Sequence, residues 1–402
     1  MMEINQDFFD FIKRNKEKDS NKLRLSLKQK DYNFDLCFAI TQIECRKKNS
    51  LKIRDFLLNS GFLFPDIISG EQSSHQAVAS YHSSLIHNSG KVLDMTAGLG
   101  IDAMSFAKKG CMVTAVELNP LKVKVLQHNA NELNLKSLNV INADSLEFLE
   151  KTNLHYDLIF VDPSRRGNDN KRLYDLRDCS PNILENQELL FFHTDKILIK
   201  ASPLLDITQT MKDFQNISSI KALGVKGECK ELLIELTPKQ EFQNIILEAV
   251  NLNNDGNIIS SFSEEFGKDK DQEIISYATQ TDLHENAFIL EPSAMVMKLA
   301  LWESICKRFN AKKFSKSSHL FVTNSLPDDF PGRVTKFKDI IKKQDRKSMM
   351  GLPASVVSRN HPLSPDEIRK SLKLKEGDKN FIYATRLGDK PLMFLSESIS
   401  GR

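Results

Sequence analysis

The stretch VLDMTAGLGIDAM (92–104) decides the fold predicted for this chain of 402 residues. Its apolar start, Val92-Leu93-Asp94, predicts a short buried strand, and the segment Ile101–Lys109 predicts a helix closed by Gly110. Between them, Gly98-Leu99-Gly100 forms a turn in which the backbone can approach a ligand closely. A strand, a glycine turn and a helix in this order are typical of dinucleotide-binding folds.

Strands and helices continue to alternate after this stretch. The predicted strands are Met112–Val116, Asn139–Ile141, Leu158–Val161, Lys196–Ile199, Ser219–Leu223 and Glu231–Leu236, with helices at Pro120–Leu133 and Ser145–Glu150. Elements of this length predict an α/β fold with a doubly wound parallel sheet. The last two strands are predicted to form an antiparallel pair at its edge. Apolar residues at three-to-four spacing predict a helical domain over residues 1–72, so the α/β core takes residues 73–238.

The remaining residues predict two small α+β domains, at 239–328 and 329–402. We expect a hairpin of Ile245–Val250 and Asn257–Phe262, a helical stretch Ser293–Phe309, and strands at Phe381–Thr385 and Leu392–Phe394. A further helix is predicted to begin after Ser364, with Glu367 completing a capping box.

Charge is distributed unevenly along the chain. Residues 307–402 carry 21 Lys and Arg against 10 Asp and Glu, whereas the rest carries 35 against 43. This asymmetry is typical of a protein whose C-terminal region binds nucleic acid. Lysines and arginines that neutralise the phosphates supply most of the non-specific affinity for nucleic acid. A lysine-rich solvated surface is the alternative.

Composition excludes several classes of protein. No apolar run reaches the roughly 20 residues that a membrane-spanning helix needs, and no secretory signal is visible. The six cysteines are scattered without a C-x-x-C pair, which indicates reduced thiols and a cytoplasmic protein. None of the nine histidines has a spacing such as H-x-x-x-H, so no metal site is predicted.

The loop after the first strand carries Asp94, Thr96, Gly98 and Gly100. Its glycines match the G-x-G-x-x-G/A pattern, so a nicotinamide cofactor fits. Asp94 and Thr96 also fit a loop that holds S-adenosylmethionine (SAM), because a carboxylate at a strand end can pair with the SAM amino group. The following helix N-terminus favours the SAM carboxylate. This loop alone leaves both cofactors open.

Acidic residues also follow the next two strands. Glu117, with Leu118 beside it, can accept hydrogen bonds from the ribose hydroxyls of either cofactor, and a cap for the helix from Pro120 is the alternative. Asp144, with Ser145 beside it, can accept from the exocyclic amine of adenine. Asp144 can equally be the N-cap of the next helix.

The loop that separates the two cofactors follows the fourth strand and reads Asp162-Pro163-Ser164-Arg165-Arg166. An Asp-Pro turn ending a buried strand places carbonyls and one carboxylate beside a transferred methyl group, an arrangement that nicotinamide enzymes do not need. We expect Asp162, Pro163, Ser164 and Arg165 at the reaction centre, where Asp162 would hold an exocyclic amine with its lone pair towards the methyl. Arg165 and Arg166 can bind phosphate or stack on a base; a turn with surface arginines is the alternative.

Carbon methylation through a covalent cysteine is disfavoured. That route needs a cysteine after the fifth strand, and the loop there is Lys200-Ala201-Ser202-Pro203. Cys179 and Cys229 lie elsewhere.

Together the loops DxTAGxG, VELNP, NAD and DPSRRG make residues 90–237 resemble class I SAM-dependent methyltransferases with a Rossmann-like core. More narrowly, the chain is similar to bacterial proteins that join such a core to a ferredoxin-like domain and a C-terminal THUMP-like domain. The residues that carry this similarity are Glu291-Pro292-Ser293-Ala294, Phe330-Pro331-Gly332-Arg333-Val334 and Arg359-Asn360-His361-Pro362-Leu363-Ser364-Pro365. The chain is more distantly similar to RNA guanine-N2 methyltransferases of the trimethylguanosine synthase type.

The resemblance implies SAM as cofactor, bound by Asp94, Gly98, Gly100, Glu117 and Asp144, with Asp162 and Pro163 at the reaction centre. Because THUMP domains bind RNA, it also implies an RNA partner, and the expected RNA contacts are Arg166, Arg333, Lys336 and Arg359. Two sites depart from the family pattern. Thr96 replaces the usual first glycine, and Ser164-Arg165 replaces the second proline and the aromatic residue of the D-P-P-aromatic loop, which leaves the acceptor atom open.

The expected function is SAM-dependent methylation of a base nitrogen in ribosomal or transfer RNA, by direct transfer. The alternatives are methylation of a protein or a small molecule, and a non-catalytic SAM-binding factor associated with RNA.

Overall fold

A computed structural model of the chain describes residues 4–165, 175–238, 244–267 and 275–399. The chain forms two compact units. The first contains Met1–Ile245 and Val250–Ile259, and the second contains Ile246–Ala249 and Ser260–Arg402.

The N-terminal part of the first unit is helical, as the spacing of its apolar residues predicts. Its α-helices are α1 (Gln6–Asn15), α2 (Ser20–Ser26), α3 (Leu36–Lys48), α4 (Arg54–Leu57) and α5 (Ile67–Gln72), with a 3-10 turn at Gln29–Asp31. Aspartates begin several of them; the Asp35 side chain, for example, accepts the Phe38 N–H at the start of α3. Phe8 of α1 stacks on Phe38 at 5.7 Å between ring centres, so these helices share an aromatic core.

Alternating elements follow, and the last two of these strands are divided between the two units. The elements are α6 (Gln76–Ser84), β1 (Lys91–Asp94), α7 (Ile101–Lys108), β2 (Met112–Glu117), α8 (Pro120–Glu132), β3 (Leu138–Asn142), α9 (Ser145–Lys151), β4 (Leu158–Val161), β5 (Ser164–Arg165), β6 (Cys179–Ser180), α10 (Gln187–His193), β7 (Ile197–Ala201), α11 (Ile207–Asp213), β8 (Ile217–Val225), β9 (Glu228–Leu236), β10 (Asn244–Leu252) and β11 (Ile258–Gly267). A 3-10 turn lies at Leu176–Asp178.

Nine of these strands form one sheet in the order β3-β2-β1-β4-β7-β9-β8-β10-β11, and β5 and β6 pair separately. The pairs β1–β2, β1–β4, β2–β3 and β4–β7 are parallel, whereas β7–β9 and β8–β9 are antiparallel. All four residues of β4 are buried, as expected for a central parallel strand covered on both faces. The predicted doubly wound α/β fold with its antiparallel final pair is therefore confirmed.

The second unit contains a mainly antiparallel sheet. Its elements are β12 (Phe288–Pro292), α12 (Ala294–Lys298), α13 (Trp302–Arg308), β13 (Lys312–Ser315), β14 (Ser318–Thr323), β15 (Gly332–Ile340), β16 (Ser355–Ser358), α14 (Pro365–Leu372), β17 (Asn380–Leu387) and β18 (Lys390–Ser398), with 3-10 turns at Gln280–Asp282 and Lys343–Arg346. The strand order is β13-β14-β12-β15-β18-β17-β16. The predicted capping box of α14 is confirmed, because Ser364 and Glu367 exchange backbone-to-side-chain bonds.

One predicted helical stretch is interrupted in the structure. The stretch Ser293–Phe309 contains two helices, α12 and α13, separated at Ala300, whose φ is 53°. The Leu301 N–H donates to the Val296 carbonyl and the Ala300 N–H to the Met297 carbonyl, which are the two bonds of a Schellman helix end. Glycine is the usual residue at the left-handed position of that motif, so an alanine there gives the sequence no signal of a break.

Candidate active site

The four predicted loops lie at one edge of the first sheet. Because β1 pairs in parallel with β2 and β4, and β2 with β3, the carboxyl ends of these strands share that edge. In open α/β sheets this is the edge where ligands bind.

The two glycines of the first loop have different structural roles. Gly98 and Gly100 both have positive φ, of 56° and 85°. A Cβ at Gly98 would meet only the Thr96 carbonyl oxygen, at 3.8 Å, so its backbone is open to a ligand. A Cβ at Gly100 would overlap the Leu126 side chain of α8. Gly98 therefore allows ligand approach, whereas Gly100 allows close packing.

The Glu117 carboxylate accepts hydrogen bonds from two backbone N–H groups. Its Oε2 accepts the Gly98 N–H at 2.9 Å and its Oε1 accepts the Asn119 N–H at 2.7 Å. These bonds orient the carboxylate, and each oxygen keeps a second lone pair for another donor. Asn119, rather than Glu117, caps α8, so the helix-cap alternative for Glu117 is wrong. Leu118, beside it, is 68% exposed.

Asp144 is the N-cap of α9. Its Oδ1 accepts the N–H groups of Leu146 at 2.9 Å and Glu147 at 3.2 Å, while Ser145 is buried. The alternative prediction, that Asp144 is the N-cap of the next helix, is therefore confirmed. Recognition of adenine by Asp144 stays a prediction and would have to use the same carboxylate.

Asp94 is a buried carboxylate at the end of β1. It accepts the Thr96 N–H at 3.0 Å, and its residue is 2% exposed. Burial, with the carboxylates of Asp102 and Asp162 nearby, raises the pKa of Asp94 to about 8. An ammonium group placed against Asp94 would therefore displace a proton from it.

Thr96 connects the first loop to the fourth. Its Oγ1 accepts the Asp162 N–H at 2.7 Å, a bond that the usual glycine could not make. The Asp162 carboxylate in turn lies 2.6 Å, through Oδ2, from Lys200 Nζ, and 39% of the Asp162 side chain is exposed. The carboxylate is thus fixed on one side and accessible on the other. Pro163, next to it, is buried.

The remainder of the fourth loop is anchored by a short ladder. Ser164 pairs with Ser180 and Arg165 with Cys179, so β5 and β6 form a two-stranded sheet. Arg166 and the side chain of Arg165 lie outside the described residues, and their contacts with phosphate or a base stay predictions.

Sequence reasoning missed Lys200 as a site residue. Burial alone disfavours its ammonium group, but the carboxylates of Asp162, Glu231 and Asp102 outweigh that effect and raise the pKa of Lys200. A signal was available, because Lys200 is the charged residue of an otherwise apolar strand, Ile197–Ala201. A lysine in such a strand needs a partner inside the protein.

A buried chain of hydrogen-bonded side chains was also not predicted from the sequence. The fully buried His82 of α6 places Nδ1 2.8 Å from Asp102 Oδ1 and Nε2 2.6 Å from Glu231 Oε1. The Ser74 hydroxyl donates to the other oxygen of Asp102. No local pattern joins residues from α6, α7 and β9, so sequence spacing could not reveal this chain.

The comparisons with known proteins agree with this geometry. The model of a SAM-dependent methyltransferase family matches residues 20–171, that of a ferredoxin-like domain matches 288–331, and that of a THUMP-like domain matches 333–398. Over residues 20–171 the chain is therefore similar to the SAM-dependent methyltransferases. SAM is the cofactor of that family, and the nicotinamide alternative is not supported.

The α/β core of the chain is similar to proteins named as RNA methyltransferases. It is 29% identical over 153 residues to ribosomal RNA small subunit methyltransferase J of Coxiella burnetii, covering 35% of this chain and 58% of the relative. It is 30% identical over 141 residues to tRNA1(Val) (adenine(37)-N6)-methyltransferase of Haemophilus influenzae, covering 30% and 61%. The chain thus spans less than two thirds of either relative.

A crystal structure from Porphyromonas gingivalis W83, of a protein named as a methyltransferase, has the same fold over nearly the whole chain. The TM-score is 0.83 at 24% identity, and the match covers 98% of both chains.

In the second unit, Glu291 brings two predicted RNA contacts together. This buried carboxylate accepts from Arg333 Nη1 at 3.0 Å and from Arg359 Nη2 at 3.1 Å, and the Tyr383 hydroxyl donates to it at 3.3 Å. The side chains of Arg333 and Arg359 remain 49% and 38% exposed. Lys336 is half-buried on β15. RNA contact by the three cations stays a prediction.

The described ranges contain no helix long and apolar enough to cross a membrane, and no group of three or more His, Cys, Asp or Glu arranged to hold a metal ion.

Proposed function

We propose that this methyltransferase transfers the methyl group of SAM directly to a base nitrogen of ribosomal or transfer RNA. The observation that carries the proposal is the Asp162 carboxylate at the end of β4. Lys200 Nζ lies 2.6 Å from its Oδ2, and Thr96 Oγ1 accepts the backbone N–H of the same residue at 2.7 Å. The Asp162 side chain is still 39% exposed at the carboxyl edge of the sheet.

The residues at that edge fit SAM. The open space above Gly98 leaves its backbone accessible, and the buried Asp94 supplies a carboxylate for an amino group. In our assignment Asp94 and Thr96 would hold the methionine end beside Gly98 and Gly100. The N-terminus of α7 favours its carboxylate. Glu117 and Leu118 would hold the ribose, and Asp144 and Ser145 the adenine.

The chemistry needs alignment more than a strong base. SAM supplies an already activated methyl group when bound. As the new nitrogen–carbon bond forms, the carbon–sulfur bond breaks with its electron pair going to sulfur, and the nitrogen releases a proton to solvent. Asp162 accepts a hydrogen bond from the acceptor amine and so points its lone pair at the methyl carbon. Holding the two reactants in line supplies much of the rate enhancement.

Three observations support RNA as the substrate. The relatives that resemble the core are named for methylation of ribosomal and transfer RNA. A THUMP-like domain occupies residues 333–398. Residues 307–402, which include this domain, carry the excess of 21 basic over 10 acidic residues. A polyanion is the partner that such a charge attracts.

We also propose the domain boundaries 1–72, 73–238, 239–328 and 329–402, and a cytoplasmic location. The six cysteines support the location, because none of them forms a disulfide in the described ranges.

The test compares Asp162→Ala and Asp162→Asn with the wild type. We expect both variants to keep their affinity for S-adenosylhomocysteine, measured by calorimetry, and to lose methyl transfer to RNA purified from cells that lack the protein. The control is Asp157→Asn, which changes a carboxylate at the opposite end of β4 from Asp162; the Asp157 carboxylate accepts the Lys91 N–H. Loss of cofactor binding in the Asp162 variants would show that Asp162 belongs to the cofactor site instead. If the wild type restores no missing RNA methyl group, RNA is not the substrate.

A further inference from the structure

Lys200 is a buried cation between two sets of carboxylates. Its side chain is 12% exposed, and Nζ contacts Asp162 Oδ2. In the antiparallel pair of β7 and β9, Lys200 is opposite Leu233. Glu231, two residues along β9, therefore lies on the same face of the sheet as Lys200.

His82 lies behind this pair. Both of its ring nitrogens face carboxylates, at 2.8 Å for Asp102 and 2.6 Å for Glu231, and only an imidazolium can donate from both nitrogens. Burial disfavours that charge, but Glu231 and Asp102 outweigh the burial and raise the pKa of His82 to about 9. The same two carboxylates act on Lys200. His82 therefore holds in place the anions that face Lys200.

We propose that Lys200 positions the Asp162 carboxylate for the acceptor, and that Asp102, His82 and Glu231 form a rigid buried support that positions Lys200. This inference rests on the proposed role of Asp162 at the acceptor. It assigns to Lys200 and His82 functions that are conveyed through Asp162, so neither touches the reacting atoms.

The geometry explains how the support works. Lys200 occupies Oδ2 of Asp162, and Thr96 holds the backbone N–H of the same residue. Two fixed points leave the carboxylate little rotation, and Oδ1 is the oxygen that can receive the acceptor amine. A long lysine side chain has many rotamers, so without anions behind it Lys200 would not hold one position. The buried carboxylates on β9 and α7 restrict it.

The charged groups that act on Lys200 come from several elements. They are Asp162 after β4, Glu231 on β9, Asp102 on α7, Asp94 at the end of β1 and Lys52 from the N-terminal helical region. Most of these groups are carboxyls, so the surroundings of Lys200 favour its charged form.

The kinetic test uses Lys200→Met, Lys200→Arg and His82→Gln. We expect Lys200→Met to lower kcat by about 100-fold, as small misplacements of reacting groups do, with the KM for RNA and the affinity for S-adenosylhomocysteine nearly unchanged. Lys200→Arg should restore part of kcat, because it keeps the charge. His82→Gln should lower kcat less. The matched control is Lys196→Met, whose lysine pairs with Glu235 at 3.4 Å, and kcat should be unchanged there.

A second measurement needs no RNA. The melting temperatures of Lys200→Met, Asp162→Asn and the double variant form a cycle, and the loss in the double variant should be smaller than the two single losses combined. Additive losses, or an unchanged kcat in a folded Lys200→Met variant, would overturn the positioning role. A non-additive cycle with a wild type that methylates no RNA would instead support the positioning of Asp162 and refute the proposed substrate.

Discussion

Alanine at Gly100 should destabilise the protein more than alanine at Gly98 or Gly110, although all three glycines have positive φ, of 85°, 56° and 98°. A left-handed backbone costs a residue with a Cβ about 1–2 kcal/mol, and this term is common to the three sites. A Cβ at Gly110 meets nothing within 4 Å, and one at Gly98 meets only the Thr96 carbonyl at 3.8 Å.

Alanine at Gly100 has an additional steric cost in the free energy of unfolding. Its Cβ would overlap the side chain of Leu126, which is fully buried in the core and cannot move into solvent. Overpacking of this kind costs about 1–3 kcal/mol. We therefore expect Gly100→Ala to lower the free energy of unfolding by about 2–5 kcal/mol, against about 1–2 kcal/mol for the other two variants.

The assay is urea unfolding followed by far-UV circular dichroism, with S-adenosylhomocysteine affinity measured on the same samples. Gly98→Ala should weaken cofactor binding, because its Cβ projects into the open space that we assign to the cofactor, whereas Gly110→Ala should not. Leu126→Ala introduced into Gly100→Ala should cost less than it does alone, because it also removes the overlap. Equal losses at the three glycines, or additive effects of Gly100 and Leu126, would refute the packing role of Gly100.

Other changes test the remaining parts of the site. Thr96→Val should lower the free energy of urea unfolding by about 1–3 kcal/mol, because it leaves the Asp162 N–H without an acceptor, whereas Thr96→Ser should be nearly neutral. The raised pKa of Asp94, about 8, means that this carboxyl is protonated below pH 8 in the free protein. An approaching ammonium favours the ionised form, so SAM affinity should fall as pH decreases below about 8, with about one proton released on binding near pH 7. Calorimetry in buffers of different ionisation enthalpy measures that proton, and a release of zero would contradict the contact with Asp94. Arg333→Ala and Lys336→Ala should each weaken RNA binding and reduce its salt dependence by about one ion, measured by fluorescence anisotropy at several salt concentrations; an unchanged salt slope would exclude a phosphate contact.

Much of the first unit is predictable because its signals are local. Strand, turn and helix follow one another within VLDMTAGLGIDAM, and the acidic residues Glu117 and Asp162 come directly after apolar strands. In a parallel sheet these positions must reach the same edge, so their proximity follows from the order of elements. The capping box of α14 is equally local, since its two partners are three residues apart.

Other features depend on which residues the fold brings together. Thr96 looked irregular in the sequence, and only its hydrogen bond to the Asp162 N–H shows why a hydroxyl is useful there. Asp144 could be read as a ligand or a cap, and the structure shows the cap. The break at Ala300 had no sequence signal, because an alanine occupies a position that usually requires glycine.

The sequence by itself determined the alternating α/β pattern, the strand ends that carry carboxylates, and the basic C-terminal region. These depend on period, spacing and composition, which are properties of neighbouring residues. Only the tertiary structure decided that Lys200 holds Asp162, that His82 lies between Asp102 and Glu231, and that Arg333 and Arg359 share Glu291. The physical reason is burial: a charge taken out of water needs a partner, and folding selects that partner from distant parts of the chain.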